Sequence, residues 1–348
     1  MKERKLYIDF IRIIAIYFVV INHTNWLFSR FNELSIYTWS ASAGIYFTAK
    51  VGVPLFIMIT GALTLGKIQN YKKILRKIYK TIFIIIIWSI IYRIFYYRSF
   101  IGINDFIPFI KDVIKQPVAT HLWYLYMLVG LYIMIPFTQK MINRFKNADF
   151  YMYLVIWLIY SCLLPFLRVF RDIQYSPYFN IPLFYGYVGY LVLGYFLDNI
   201  EINRKIIISS WFAFLIGVTS MVAITYHFSI LNHKASYILD NNIVFPVVMM
   251  SAALYILIKH QFLMFYRVSS NSKFNNILID ISKKTFGIYL IHFMLVDIFR
   301  GSIIFNFFKY TVTPLLGLLI YDIFLFVVAY ILVFIIGKIP YIQKIVCF

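Results

Sequence analysis

Apolar positions in this chain fall in long blocks broken by short polar clusters, with neither the stripe of a surface helix nor the alternation of a half-buried strand. Ten blocks stand out, at about 6–28, 43–65, 78–97, 121–138, 150–168, 182–197, 206–228, 243–262, 284–307 and 315–337. Each approaches the ~20 residues an α-helix needs to cross a bilayer. The pattern predicts an all-α polytopic membrane protein of about ten transmembrane helices. The block at 182–197 is short, and the one at 78–97 carries Arg93. No internal repeat or long linker divides the chain, so a single integral-membrane domain is expected over 1–348. Between the third and fourth blocks, Ile103, Phe106, Ile107 and Ile110 recur at helical spacing and predict an amphipathic segment on the outer surface.

Composition agrees: 62% of the 348 residues are hydrophobic, 21% aromatic and only 13% charged. The formal charge of +20 could signal nucleic acid, but a soluble basic domain would have no place to hide so much apolar surface. The expected partner is a lipid bilayer, not nucleic acid. Lys and Arg assigned to alternate sides of the ten blocks divide 21 against 8. The positive-inside rule then puts both termini in the cytoplasm. Cys162 and Cys347 lack disulfide-like or metal-ligand spacing, so neither a disulfide framework nor a metal site is expected. Lys2, Arg4 and Lys5 precede the first block as in a signal peptide, but Asp9 and Arg12 interrupt its apolar core, which predicts an uncleaved first helix.

An ionisable group inside a membrane helix costs a few kcal/mol on insertion scales and marks a candidate functional site. In "YIDFIRIIAIYFVVINHTNW", Asp9, Arg12 and His23 share one helical face. Eleven residues at ~100° each bring His23 to within about 20° of Arg12 and about 16 Å further along the axis. Asp9 and Arg12 fall near the cytoplasmic mouth, and His23 falls in the outer half. Asp9 and Arg12 also suit an i,i+3 ion pair. Lys50 and Arg93 fall towards the outer ends of the second and third blocks, and His121 opens the fourth. In "TFGIYLIHFMLVDIFRG", His292 falls in the inner half, with Asp297 and Arg300 beyond it at pairing distance. Lys72, Lys73 and Arg76 belong to a basic cytoplasmic cluster, suited to anionic lipid or to a phosphorylated donor.

Taken together, these segments resemble the membrane-integral acyltransferase type 3 family, whose members O-acylate cell-surface carbohydrates. Asp9-x2-Arg12-x10-His23 is similar to the family's first-helix signature, in which an arginine precedes the proposed catalytic histidine by eleven residues. "VGVPLFIMITGALTL" resembles the family's Pro-Leu-Phe-Phe…Ser-Gly segment, with Thr60 where Ser is usual. "HLWYLYMLVGLY" resembles its fourth-span motif. "KKTFGIYLIH" resembles Ser-Tyr-Gly-Ile-Tyr-Leu-x-His, with Thr285 and Phe286 at its first two positions. The likeness extends from residue 4 to about 300 and implies ten helices. The hydrolase-like domain that some relatives carry is not expected here.

The resemblance implies an O-acyltransferase, with acetyl as the default group, that moves an acyl group from cytoplasmic acyl-CoA (acetyl-CoA) to a hydroxyl of a surface or lipid-linked glycan. Arg12, Lys72, Lys73 and Arg76 would hold the CoA phosphates, and Asp9 would orient Arg12. His23 would either deprotonate the sugar hydroxyl or carry the acyl group itself. Lys50, Arg93 and His121 are the oxyanion candidates by depth, with His292, Asp297 and Arg300 as further substrate-facing candidates. The multi-pass chain would reside in a bacterial plasma membrane. The competing reading is an exporter or flippase of a polysaccharide or lipid-linked sugar, against which the lack of related halves counts.

Overall fold

In a computed structural model the described residues are 4–67, 70–98, 102–170, 184, 186–268, 272–310 and 313–340. Lys2, Arg171, the start of the block at 182–197 and Cys347 lie outside them. The described residues are 81% helical with no strand. The helices, in chain order, are α1 (Leu6–Thr24), α2 (Ile36–Ala49), α3 (Gly52–Thr64), α4 (Tyr71–Tyr97), α5 (Ile103–Lys115), α6 (Trp123–Ile142), α7 (Asn147–Trp157), α8 (Leu164–Leu167), α9 (Val188–Asn199), α10 (Arg204–Leu231), α11 (Phe245–Val268), α12 (Ser272–Phe299), α13 (Ile303–Tyr310) and α14 (Pro314–Ile336).

Eight stretches of described helix are long and apolar enough to cross a membrane, or nine when α12 and α13, bent by 80°, count as one broken span. The protein is therefore an all-α polytopic membrane protein. The difference from ten lies at the sixth block, where the described helix α9 has only 12 residues. The second block is two helices in one span, α2 and α3, interrupted at Lys50–Val51. The α12–α13 bend follows from Gly301, whose φ of +78° ends α12 in the left-handed conformation that glycine adopts without a Cβ clash.

The chain forms two compact units, residues 1–63 with 145–348, and residues 64–144. In the first, α1 is the central helix and packs against α2, α11, α12 and α14. Its buried face carries Ile8, Ile11, Ala15, Ile16, Val19 and Val20, and the same face carries Asp9 and Thr24. α3 and α9 cross at backbone contact. A Cβ on Gly61 would stand 2.0 Å from the Leu191 carbonyl oxygen, and one on Gly194 2.1 Å from that of Met58. Small residues permit such crossings in membranes, where dispersion between closely packed helices replaces the hydrophobic drive.

The second unit comprises α4, α5 and α6. α5 forms where the spacing predicts it. Phe109 and Val113 are buried, while Phe106, Ile107 and Ile114 are exposed on another side of the helix. The Tyr126 hydroxyl donates to the Val113 carbonyl at 2.6 Å, and the Arg93 guanidinium lies over the Phe109 ring at 5.5 Å. These contacts hold α5 against its own unit.

Candidate active site

At its inner end α1 carries a closed ionic network. Asp9, only 3% exposed, accepts two hydrogen bonds from Arg4, at 2.7 and 2.8 Å. It also accepts from Arg12 at 3.1 Å and from the Ser282 hydroxyl at 2.6 Å, and Arg12 Nη1 lies 2.9 Å from Ser282 Oγ. Asp9 and Arg12 are thus brought together as their spacing predicts, and Ser282 of α12 joins them. A carboxylate that accepts four hydrogen bonds, two of them from Arg4, holds Arg12 in place. Beside it, Asp198 at the end of α9 pairs with Lys5 and accepts from the hydroxyls of Tyr7 and Tyr255. Lys259 closes the α9 terminus by donating to the carbonyls of Leu197 and Asp198.

The outer end of α1 is different. The His23 ring lies 5.3 Å from the His292 ring, centroid to centroid, and Phe293 stands edge-on to His23 at 5.2 Å. The sequence reading put His292 in the inner half of its span. The structure brings His292 level with His23, which the sequence reading put in the outer half; α12 begins at Ser272, twelve residues before the apolar block, and His292 is its 21st residue of 28. His292 is 2% exposed, and its Nδ1 lies 2.6 Å from the Tyr289 carbonyl oxygen. A carbonyl only accepts, so the neutral ring carries its proton on Nδ1 and keeps Nε2 as the basic nitrogen. His23 is the less buried residue of the pair.

The next residue brings in a group that the sequence reading passed over. The Thr24 hydroxyl donates to Oδ1 of Asp322, a fully buried carboxyl in α14, while Asp322 Oδ2 has no hydrogen-bond partner among the described residues. The signal was present: Asp322 is an acid inside the most apolar span of the chain, with a mean hydropathy of 2.8. Histidine 23 is thereby flanked by a second imidazole on α12 and, through its chain neighbour, by a carboxyl on α14.

Of the remaining candidates, Lys50 lies near enough to His23 for its charge to act on that ring. Lys50 pairs with Asp240 of the loop after α10 and lies over the Tyr46 ring, whose hydroxyl also donates to Asp240. The structure therefore gives Lys50 a carboxylate partner from a loop that sequence spacing could not point to. Asp297 and Arg300 make an i,i+3 pair at 3.8 Å, with the arginine side chain 67% exposed. Arg93 and His121 belong to the second unit. Arg93 lies over Tyr97 and Phe109, while His121 is buried edge-on to Tyr92 at 5.0 Å. Lys72, Lys73 and Arg76 are exposed on the first turns of α4, also in the second unit.

A polytopic helical membrane protein with a histidine pair beside a buried carboxyl has the parts of a site for acid–base or acyl-transfer chemistry. The family comparison supplies the class. The model of the acyltransferase type 3 family, described as an acyltransferase domain, matches residues 5–338, and the chain belongs to that family. It is therefore an acyltransferase acting on non-aminoacyl acceptors. No curated protein and no solved structure matches the chain.

Proposed function

We propose that the protein is an O-acyltransferase, with acetyl as its group, that moves acyl from cytoplasmic acyl-CoA to a hydroxyl of a cell-surface or lipid-linked glycan. We place it in a bacterial plasma membrane with both termini in the cytoplasm. The observation that carries this reading is the pairing of His23 with a buried His292 at one end of α1, while Arg12 is held by Asp9 and Ser282 at the other.

In this mechanism His23 takes the proton from the acceptor hydroxyl as the hydroxyl oxygen attacks the thioester carbonyl. The tetrahedral adduct then collapses, the carbon–sulfur bond breaks, and the proton on His23 passes to the departing thiolate. His292, its Nδ1 proton tied to the Tyr289 carbonyl, presents Nε2 as a hydrogen-bond acceptor on the ring beside His23. Direct transfer and an acyl-His23 intermediate use the same residues and differ only in which nucleophile meets the thioester first. Family membership favours transfer over export, since a flippase needs no base.

The test is the ester-linked acyl content of the host's surface glycans. A deletion strain complemented with wild type should regain esters, and one complemented with His23→Ala at equal membrane level should not. Restoration by both would remove His23 from the chemistry. Recovery of exported glycan without esters would establish the exporter reading instead.

A further inference from the structure

The break in the second span sets Lys50 against α1. Pro54, the third residue of α3, has no N–H to give the Lys50 carbonyl, so the helix stops at Ala49 and restarts at Gly52. Before the break, Asn22 of α1 donates to the Tyr46 carbonyl at 3.3 Å. Asn25 donates to the Ser42 carbonyl and accepts from the Ser42 hydroxyl, both at 2.9 Å. After the break, a Cβ on Gly52 would stand 2.7 Å from the Ala15 carbonyl oxygen and 3.2 Å from Val19 Cγ2. Lys50 lies between these contacts, beside the turn of α1 that leads to His23, and its charge acts on the His23 ring. Only 10% of its side chain is exposed, and a cation so buried needs a partner. That partner comes from the loop between α10 and α11, where Asp240 pairs with Lys50 and accepts from the Tyr46 hydroxyl at 2.8 Å. The loop is itself tied down: Asn32 donates to the His233 carbonyl at 2.7 Å, and Tyr190 to that of Asn242 at 2.6 Å.

We propose that Lys50 is the cation that stabilises the oxyanion of acyl transfer, and that Asp240 is a positioning residue that holds it charged beside His23. The proposal rests on the transferase reading above and adds to it the group that meets the developing negative charge. As the acceptor oxygen bonds to the thioester carbonyl carbon and its proton passes to His23, the carbonyl π pair moves onto oxygen. An ammonium has three donors and Asp240 takes one, so donors remain to face that oxygen. When the carbonyl re-forms, the carbon–sulfur bond breaks and His23 returns the proton to sulfur. Lys50 keeps its own proton throughout. Without Asp240 the cation would be buried and unpaired, a state a protein relieves by losing the proton or moving the group to water. Either response takes the charge away from the reacting carbonyl, so Asp240 acts through Lys50 without touching substrate.

Full-length protein in nanodiscs, with acetyl-CoA as donor and the glycan fraction of the deletion strain as acceptor, provides the test. Lys50→Met and Asp240→Asn should each lower kcat about a hundredfold, the loss typical of one oxyanion donor, and leave KM for acetyl-CoA unchanged. The double variant Lys50→Met/Asp240→Asn should fall no further than either single, because Asp240 acts through Lys50. It should also melt at or above the wild-type temperature, since both buried charges leave together. Asp240→Glu, which keeps the carboxylate, should recover most of the transfer that Asp240→Asn loses. Single losses that multiply to about ten-thousandfold in the double variant would overturn the proposal, as would a rise in KM for acetyl-CoA at constant kcat. If wild type transfers and the double variant matches it, the pair is a packing element and only this role falls. If wild type transfers nothing from acetyl-CoA, the transferase reading falls and takes the oxyanion role with it.

Discussion

The two ends of α1 receive polar side chains in opposite ways. At the inner end each buried acid is surrounded by donors: Asp9 by Arg4, Arg12 and Ser282, and Asp198 by Lys5, Tyr7 and Tyr255. At the outer end two imidazoles lie side by side, and Asp322 keeps an oxygen without a partner among the described residues. A buried carboxylate without sufficient donors destabilises a fold, whereas one that is fully paired supports it. The inner end is therefore built to hold α1 in register, and at the outer end one oxygen of Asp322 is left without a partner among the described residues. On the proposed mechanism, structure falls to one end and chemistry to the other.

Four substitutions test the division, from the largest effect to the smallest. His23→Ala should lower transfer by about a thousandfold, near 4 kcal/mol in the barrier, within the range for loss of a general base. Its detergent-solubilised melting temperature should stay at the wild-type value, and a large fall would make the outer end structural as well. Asp9→Asn removes the charge that faces two arginines and should destabilise the protein by about 3 kcal/mol, read as a lower melting temperature. In the protein that remains folded, KM for the acceptor should not move.

Asp322→Asn sharpens the contrast, because it keeps the shape and the acceptor for Thr24 while removing the acid. Transfer should fall roughly tenfold to a hundredfold, the lower range for an acid–base contribution. The melting temperature should hold or rise, since a buried ionisable group has been neutralised. A loss of stability equal to that of Asp9→Asn would erase the distinction between the ends. Asp297→Ala, at a 3.8 Å i,i+3 pair whose arginine is exposed, should change stability by no more than about 1 kcal/mol and leave transfer intact.

What the sequence disclosed follows from what is local. Apolar blocks report helices, because bilayer thickness sets their length. The shared face of Asp9, Arg12 and His23 follows from helical geometry alone. The level at which His292 meets α1 was less legible, since the mixed segment 272–283 extends α12 ahead of its apolar block, and hydropathy alone places the helix start too late. Partners across the fold were not legible at all. Asp240 meets Lys50 from a loop some 190 residues away, and nothing in either neighbourhood encodes that meeting. Asp322 was detectable as an anomaly in its span, but its relation to His23 required knowing that Thr24 of α1 packs against α14.

The crossing of α3 and α9 has a consequence for how this chain can drift under mutation. Replacing a helical glycine by alanine ordinarily favours the helix by about 1 kcal/mol. At Gly130, with open space around the missing side chain, that gain is available. At Gly61 and Gly194 the same methyl would lie about 2 Å from a backbone carbonyl oxygen that has no rotamer to escape through. A change neutral or beneficial at one glycine would force two helices apart at the others, and neither site can relax unless the other helix shifts with it. Among substitutions to alanine, the least conspicuous residues in the chain are thus among its least replaceable.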